Sequence, residues 1–399
     1  MKRSLVVLLY ALSFSGAAYA QQAPTDDPVA SAPIRIGAVG IGPSFAITNF
    51  GWDNNVFNEV ENQKGDFTLT FTPAADVWLR TGRGLLTFEG RLDLVYYAEY
   101  ANQRAVNSHA SGLYELRFSR IRPLASFAVA DVMDRPGYEI DTRVRTFEDT
   151  LKAGLDVRLG SKTFFETSYR HQESVYADDA FYNGQDLGQV LDRKTDAVDG
   201  TLRYGMTSQT TMFLRASSEQ ERFVYATERN SNSGRGSIGF ELGRLALIRG
   251  TAIVGFRSMA AAEGGTIPPF RGLTADVDVT YTSPSQTRIS AKIPRDIQYS
   301  YDPITPYYIQ TGIELTVTQR ITGRWDFQLL GARDRLDYQS SVDPNAERTD
   351  HVSRVGGGFG YQLAEHTRLG FNVESSQRQS PLQPEYRSLR AFGAVTYVY

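Results

Sequence analysis

Four histidines, His109, His171, His351 and His366, are the only imidazoles in the chain. None stands in a metal-binding spacing such as H-E-x-x-H. Ser108 precedes His109, but neighbours on a strand point to opposite faces, so the pair lacks a nucleophile–base geometry. There is no Cys, which excludes disulfides, thiolate metal sites and a Cys nucleophile. Two Asp-bearing stretches, Tyr176-Ala177-Asp178-Asp179 and Val342-Asp343-Pro344-Asn345, lack a full calcium ligand array and read as solvated loops. There is no phosphate-binding loop. Gly356-Gly357-Gly358 and Gly360 lie inside a strand, where close side-chain packing or a bend of the wall is the expected use. The alternative is a flattened wall that makes room for a plug or a solute. The residues therefore predict no catalytic group, no metal and no cofactor.

What the sequence does carry is charge on every second residue. Arg91, Arg117, Arg158, Arg203, Arg249, Arg288 and Lys292 are the candidate basic positions. Glu89, Asp93, Glu115, Asp156, Asp276, Asp278 and Glu314 are the acidic ones. Set in rings or ladders around a water-filled pore, such groups select ions and polar solutes. Arginine suits carboxylate or phosphate, which its planar fork holds bidentately. The plainer use of the same charges is to hydrate and cross-brace a wall.

The elements that must position them are strands. Leu86, Phe88, Leu92, Leu94 and Tyr96 share one face, and Glu89, Arg91 and Asp93 the other. Tyr114, Leu116 and Phe118 oppose Glu115 and Arg117. Leu151, Ala153, Leu155, Val157 and Leu159 oppose Lys152, Asp156 and Arg158. Leu273, Ala275, Val277, Val279 and Tyr281 oppose Asp276 and Asp278. Ile289, Ala291 and Ile293 oppose Arg288 and Lys292, and Ile309, Ile313, Leu315 and Val317 oppose Glu314. No helix-period segment of any length interrupts this pattern.

Tight turns punctuate the strands: Thr81–Gly84, Arg120–Pro123, Gly160–Lys162, Met206–Gln209, Gly243–Leu245, Ser283–Ser285, Thr322–Arg324 and Ala364–His366. Between them lie longer polar connections, near Asn49–Gly65, Ala101–Ser108, Asp134–Arg145, Ala177–Lys194, Ala226–Ser233, Ala260–Arg271, Tyr301–Pro306, Ser340–Thr349 and Ser376–Glu385. About eight turns and about nine loops make about eighteen strands, an even number that brings both ends to one side. The short turns are then periplasmic and the long loops extracellular. Alternation alone does not separate a soluble sandwich, with its apolar face in a core, from a barrel with that face in lipid.

Several features favour the barrel. Met1–Ala20 reads as a secretory signal: Lys2 and Arg3, an apolar stretch Leu5–Phe14, and Ala18-Tyr19-Ala20 before the cleavage point. Residues 21–33, rich in Gln, Ala, Asp and Pro, read as a disordered periplasmic lead-in, and residues 34–399 as the barrel. No later segment is apolar for about twenty residues, so a membrane helix is not expected. A mean hydropathy of -0.34 suits strands that bury every second residue in lipid. Aromatics make up 12% of the chain, natural for girdles at both membrane interfaces. Net charge is only -3, so no nucleic-acid partner is expected. The stretch Arg387–Tyr399 alternates, with Leu389, Ala391, Gly393, Val395, Tyr397 and Tyr399 on one face. An unpaired apolar strand at a chain end is a hazard that closure removes. Such a strand resembles the C-terminal signature read by the barrel-assembly machinery.

Near the start, Gly42-Pro43-Ser44-Phe45 is followed by Asp53-Asn54-Asn55-Val56-Phe57-Asn58 and by Gly65-Asp66-Phe67-Thr68-Leu69-Thr70-Phe71-Thr72-Pro73. This block resembles the outer-membrane β-barrel porin type 2 family. The resemblance implies an all-β transmembrane antiparallel barrel in the outer membrane of a Gram-negative bacterium. It also implies an association with exopolysaccharide synthesis, so the expected cargo is a polar or anionic solute, with polysaccharide export included. No catalytic or binding residue is carried over from it. Expected partners are outer-membrane lipid and lipopolysaccharide, the assembly machinery, and polysaccharide with export-complex proteins. The rival readings are a plugged structural barrel of an export complex and an outer-membrane enzyme.

Overall fold

The computed structural model describes residues 27–243, 247–284, 286–340, 342–382 and 385–398. The expected signal segment, residues 21–26, Tyr399, and parts of the turns at 243–245 and 283–285 lie outside the described residues. Eighteen strands run in chain order. The first six are β1 (Val39–Asp53), β2 (Asp66–Thr81), β3 (Gly84–Tyr97), β4 (Ala105–Leu116), β5 (Ile121–Asp134) and β6 (Val144–Arg158). The next six are β7 (Thr163–Tyr176), β8 (Arg193–Gly205), β9 (Thr210–Phe223), β10 (Ser231–Leu242), β11 (Ile248–Ala261) and β12 (Phe270–Thr282). The last six are β13 (Thr287–Tyr299), β14 (Tyr307–Thr322), β15 (Trp325–Gln339), β16 (Thr349–Ala364), β17 (Thr367–Gln379) and β18 (Tyr386–Val398). Each pairs antiparallel with the next, and β18 pairs with β1, so the sheet is a closed barrel. The connections alternate between eight short turns and nine longer loops, as the sequence predicts.

The apolar face is the outer one. Leu202, Leu214, Ile238 and Val254 stand opposite one another across four consecutive strands, and all are exposed. One residue along, Thr201, Arg215, Ser237, Gly255 and Thr274 form the matching row on the inside. An exposed aliphatic belt around a polar interior is the arrangement lipid stabilises and water does not. A two-layer sandwich is thereby excluded.

Closure is made at an irregular seam. Phe45 and Tyr397 stack across it with centroids 5.0 Å apart. The β1 strand runs on to Asp53, past the expected start of a loop at Asn49, by means of a bulge between Ile47 and Phe50. Asn49 takes φ +54° there. Gly51 follows, and a Cβ at that position would run into the Ala391 carbonyl oxygen and Phe392 Cα. Only glycine lets the two backbones approach so closely.

The expected disordered lead-in is corrected from Asp27 onward. A one-turn helix, α1 (Pro28–Ser31), is capped by Asp27, whose side chain accepts from Val29 N at 3.1 Å. Val29 and Ala32 are buried against Gly40. Gly40 pairs with Trp78 on the lumen face of β2, so α1 sits inside the turn-side mouth. Asp27 forms an ion pair with Arg80. Two apolar residues and one acid in a polar stretch suffice, because the lumen wall offers a glycine gap and a guanidinium. After Ala32 and Pro33, Ile34–Ile36 pair with Val39–Ile41, beyond the stretch of β1 that β18 covers from Ser44 onward.

Candidate solute pathway

Alternation places a side chain inside; register decides which charge it meets. Most of the expected lumen positions meet a partner. Glu115 stands 3.2 Å from Arg117 and 3.7 Å from Arg122, which reaches Asp156 at 2.6 Å. Arg91 lies 3.5 Å from Asp93, and Asp93 accepts from Thr72 Oγ1 at 2.7 Å. Arg203 is buried between Glu166 at 3.1 Å and Glu241 at 2.5 Å. Arg354 pairs with Glu314 at 2.7 Å, and Lys292 faces Asp278 at 3.9 Å. Glu89 lies opposite Asp76 and Ser111 on the neighbouring strands. Arg158, Arg249 and Arg288 are exposed near the turn-side rim. Arg158 donates there to the Gly160 carbonyl at 3.2 Å. Asp276 faces the lumen and has no ion partner among the described residues.

The densest charge was not singled out from the sequence. Glu219 receives both Arg170 at 3.2 Å and Arg257 at 2.8 Å. Arg257 also reaches Asp296 at 3.3 Å, and Asp296 pairs with Arg235. These residues obey the same period of two as Arg203, and carrying that count into β7, β9, β10, β11 and β13 would have found them. Their connection into one network depends on strand register, which period alone does not supply.

The glycine cluster is packing. Gly358 leaves room for the Asn372 side chain, and Gly360 for Arg368, which is held by Asp326 at 2.5 Å. His109 points inward, 3.7 Å from Asp93, while Ser108 pairs with the outward Leu92, so the two occupy opposite faces. His171 is bound on the outer side by Asp196 at 2.8 Å and Glu173 at 3.3 Å. Among the described residues no group of three acids or histidines converges as a metal site.

Across the outer mouth lies the loop joining β5 to β6, residues 135–143. Strands β14 to β17 are on the opposite side of an eighteen-strand ring, and the loop reaches them. Tyr138 packs against Tyr308, Leu336, Tyr338 and Val352. Arg378, on β17, donates to the Tyr138 carbonyl at 3.1 Å and to the Glu139 carbonyl at 3.3 Å, and pairs with Asp141 at 2.5 Å. Glu139 accepts from Ser300 Oγ at 2.7 Å and Tyr301 N at 3.2 Å, with Arg348 at 3.6 Å. Burial pushes its carboxyl up to about 7, against the Ser300 hydrogen bond and Arg348, which pull it down. Beside it, the β7–β8 loop carries a one-turn helix, α2 (Leu187–Leu191), capped by Asp186. Leu187, Leu191, Tyr182 and Tyr301 bury against Ile140. Beneath these loops, on the wall from β6 to β14, is a cavity of about 270 Å³.

This geometry allows a polar solute to meet paired charges below a narrowing loop. No curated protein matches the chain. Among solved structures, a BenF-like porin from Pseudomonas fluorescens Pf-5 superposes with a TM-score of 0.52 at 9% identity, over 90% of this chain and 99% of that one. OpdQ of Pseudomonas aeruginosa gives 0.49 at 10% identity, over 90% and 98%. The siderophore receptor PirA of the same species gives 0.43 at 8% identity, over 91% and 80%. The first likeness supports the fold; the other two are too loose to bear on it. A barrel with an apolar outer belt and an even strand count has its place in the outer membrane of a Gram-negative bacterium. Residues 27–395 match the model of the family described as Putative beta-barrel porin 2, and the chain belongs to that family.

Proposed function

We propose that the barrel is a passive channel for small polar solutes, which pass through the lumen and around the loop at 135–143. The observation that carries this is the interior of ion-paired side chains beneath a loop that narrows the mouth. Most lumen guanidiniums have carboxylate partners within 4.0 Å, so the wall offers both signs rather than a purely anion-selective field. Polysaccharide export draws on the early resemblance alone. A loop tied to the opposite wall leaves little room for a polymer, and the reading favoured here is a small solute.

A second reading is a sealed barrel that serves as a scaffold. It rests on the packing of Tyr138 and Glu139 into the far wall. Planar-bilayer recording separates the two. The channel reading expects current from the purified protein, rising when residues 136–142 are replaced by a short Gly-Ser link. Current only after that replacement favours the sealed barrel, and no current from either protein removes the channel.

A further inference from the structure

We propose that the cavity on the β6–β14 wall is a binding subsite for a small amphoteric solute, one bearing a carboxylate and an ammonium group, as amino acids and dipeptides do. The inference deepens the channel reading and rests on it for the solute's route.

Four of the six arginines bordering this cavity are occupied by acids: Arg170 and Arg257 by Glu219, Arg193 by Glu221, and Arg235 by Asp296; Arg295, paired across the sheet with Ala275, donates to the Leu273 carbonyl instead. Arg215 differs. Its guanidinium lies against the Phe213 ring at 5.2 Å and donates to Thr201 Oγ1 at 3.3 Å, with no carboxylate within 4.0 Å among the described residues. Two acids on the same cavity, Asp199 and Asp276, likewise have no cation within 4.0 Å among the described residues. Thr201 pairs directly with Arg215. Asp199, two residues back along β8, is therefore the diagonal neighbour of Arg215, at roughly 7–8 Å between strand positions. Asp276 stands on β12, three strand spacings from β9, or roughly 14 Å.

A partly enclosed space thus holds Arg215, Asp199 and Asp276, none with an opposite charge within 4.0 Å among the described residues, although Arg235 and Arg215 act on Asp276 at longer range; Ser217 and Ser237 line the same space. Charges withdrawn from bulk water gain from counter-charges brought to them. The carboxylate of an amphoteric solute answers Arg215, and its ammonium answers Asp199. Asp276 adds a second anion, which repels dicarboxylates and admits a further cationic group. The cavity volume of about 270 Å³ falls below the roughly 300–1,000 Å³ of drug-sized sites, which limits the solute to metabolite size.

The test is saturation-transfer NMR on the full detergent-solubilised protein with L-alanine, L-alanyl-L-alanine, propionate and ethylamine. Alanine and alanyl-alanine should bind, with propionate and ethylamine each roughly tenfold or more weaker. Arg215→Gln, a shorter neutral polar side chain, and the near-isosteric Asp199→Asn, both checked for folding by circular dichroism, should each weaken alanyl-alanine roughly tenfold or more. Propionate binding as well as alanine, or folded variants binding like the parent, overturns the proposal, as does a folded barrel that binds no alanine. Bilayer recordings on the same samples keep the two readings apart. Current without binding removes the subsite and leaves the channel; binding without current does the reverse.

Discussion

Raising the pH from about 5 to about 8 should loosen the loop that crosses the lumen, and Glu139 sets the size of the change. Its carboxyl is 2% exposed, and burial pushes it from 4.5 up to about 7. The groups around it include Ser300, Tyr301 and Asp302 from the β13–β14 loop, Arg348 from the β15–β16 loop, Arg229 from the β9–β10 loop, and the phenols Tyr176, Tyr308 and Tyr338. With the loop lifted into water the carboxyl returns to its ordinary value. An acid raised in the packed state favours that state when protonated. Its contribution to packing is therefore fully present below about pH 4.5 and is lost as the pH climbs towards 7. The difference amounts to about 3 kcal/mol, roughly a hundredfold in the ratio of packed to lifted loop. Single-channel recording between pH 5 and 8 reads this directly: open time should rise with pH and level off above 7. Glu139→Gln keeps the side chain neutral and should hold the low-pH behaviour across the window. A parent protein with a flat profile, or a variant that keeps the full step, refutes the reasoning.

Arg378→Ala removes the clamp on the Tyr138 and Glu139 carbonyls and the guanidinium paired with the half-buried Asp141, which keeps its bonds from Asn58 and Tyr182. It should cost the packed loop roughly 1–3 kcal/mol, seen as larger conductance and protease cleavage within residues 136–142. Gly51→Ala forces a methyl against the Ala391 carbonyl at the closing seam. It should lower the yield of barrel that stays folded on an unheated gel, with an unchanged yield counting against a tight seam. Leu214→Arg, in the belt opposite Leu202 and Ile238, should cost roughly 2–4 kcal/mol of folding stability in vesicles. Ser217→Arg on the lumen side should cost far less in the same urea titration.

The barrel itself was legible because lipid imposes a rule each strand obeys separately. Leu151 and Leu273 stand outside and Lys152 and Asp276 inside by simple count, and the rhythm of turns and loops supplied the strand number. Pairing was not legible. Arg203 could be placed inside, yet that it lies between Glu166 and Glu241 follows from the register of four strands, β7 to β10. Loop direction was hidden too. The polar residues 135–143 read the same whether they wave in water or bridge the lumen, and only Tyr138 and Ile140 hint at burial. The lead-in was misread for a similar reason: Val29 and Ala32 have nothing to pack on until Gly40 and Trp78 are known to face inward.

The bridge at 135–143 has a mechanical consequence. A hoop of eighteen strands is stiff along its axis and soft to flattening, because neighbouring strands hinge about their ladders. A chord anchored at β5 and β6 and tied by Arg378 and Tyr138 to the far wall works as a strut. The outer rim then resists being squeezed oval by lateral pressure, while the turn-side rim, where among the described residues only α1 packs inside the wall on one side, yields more easily. Deformation of the bilayer would be felt first at the periplasmic end.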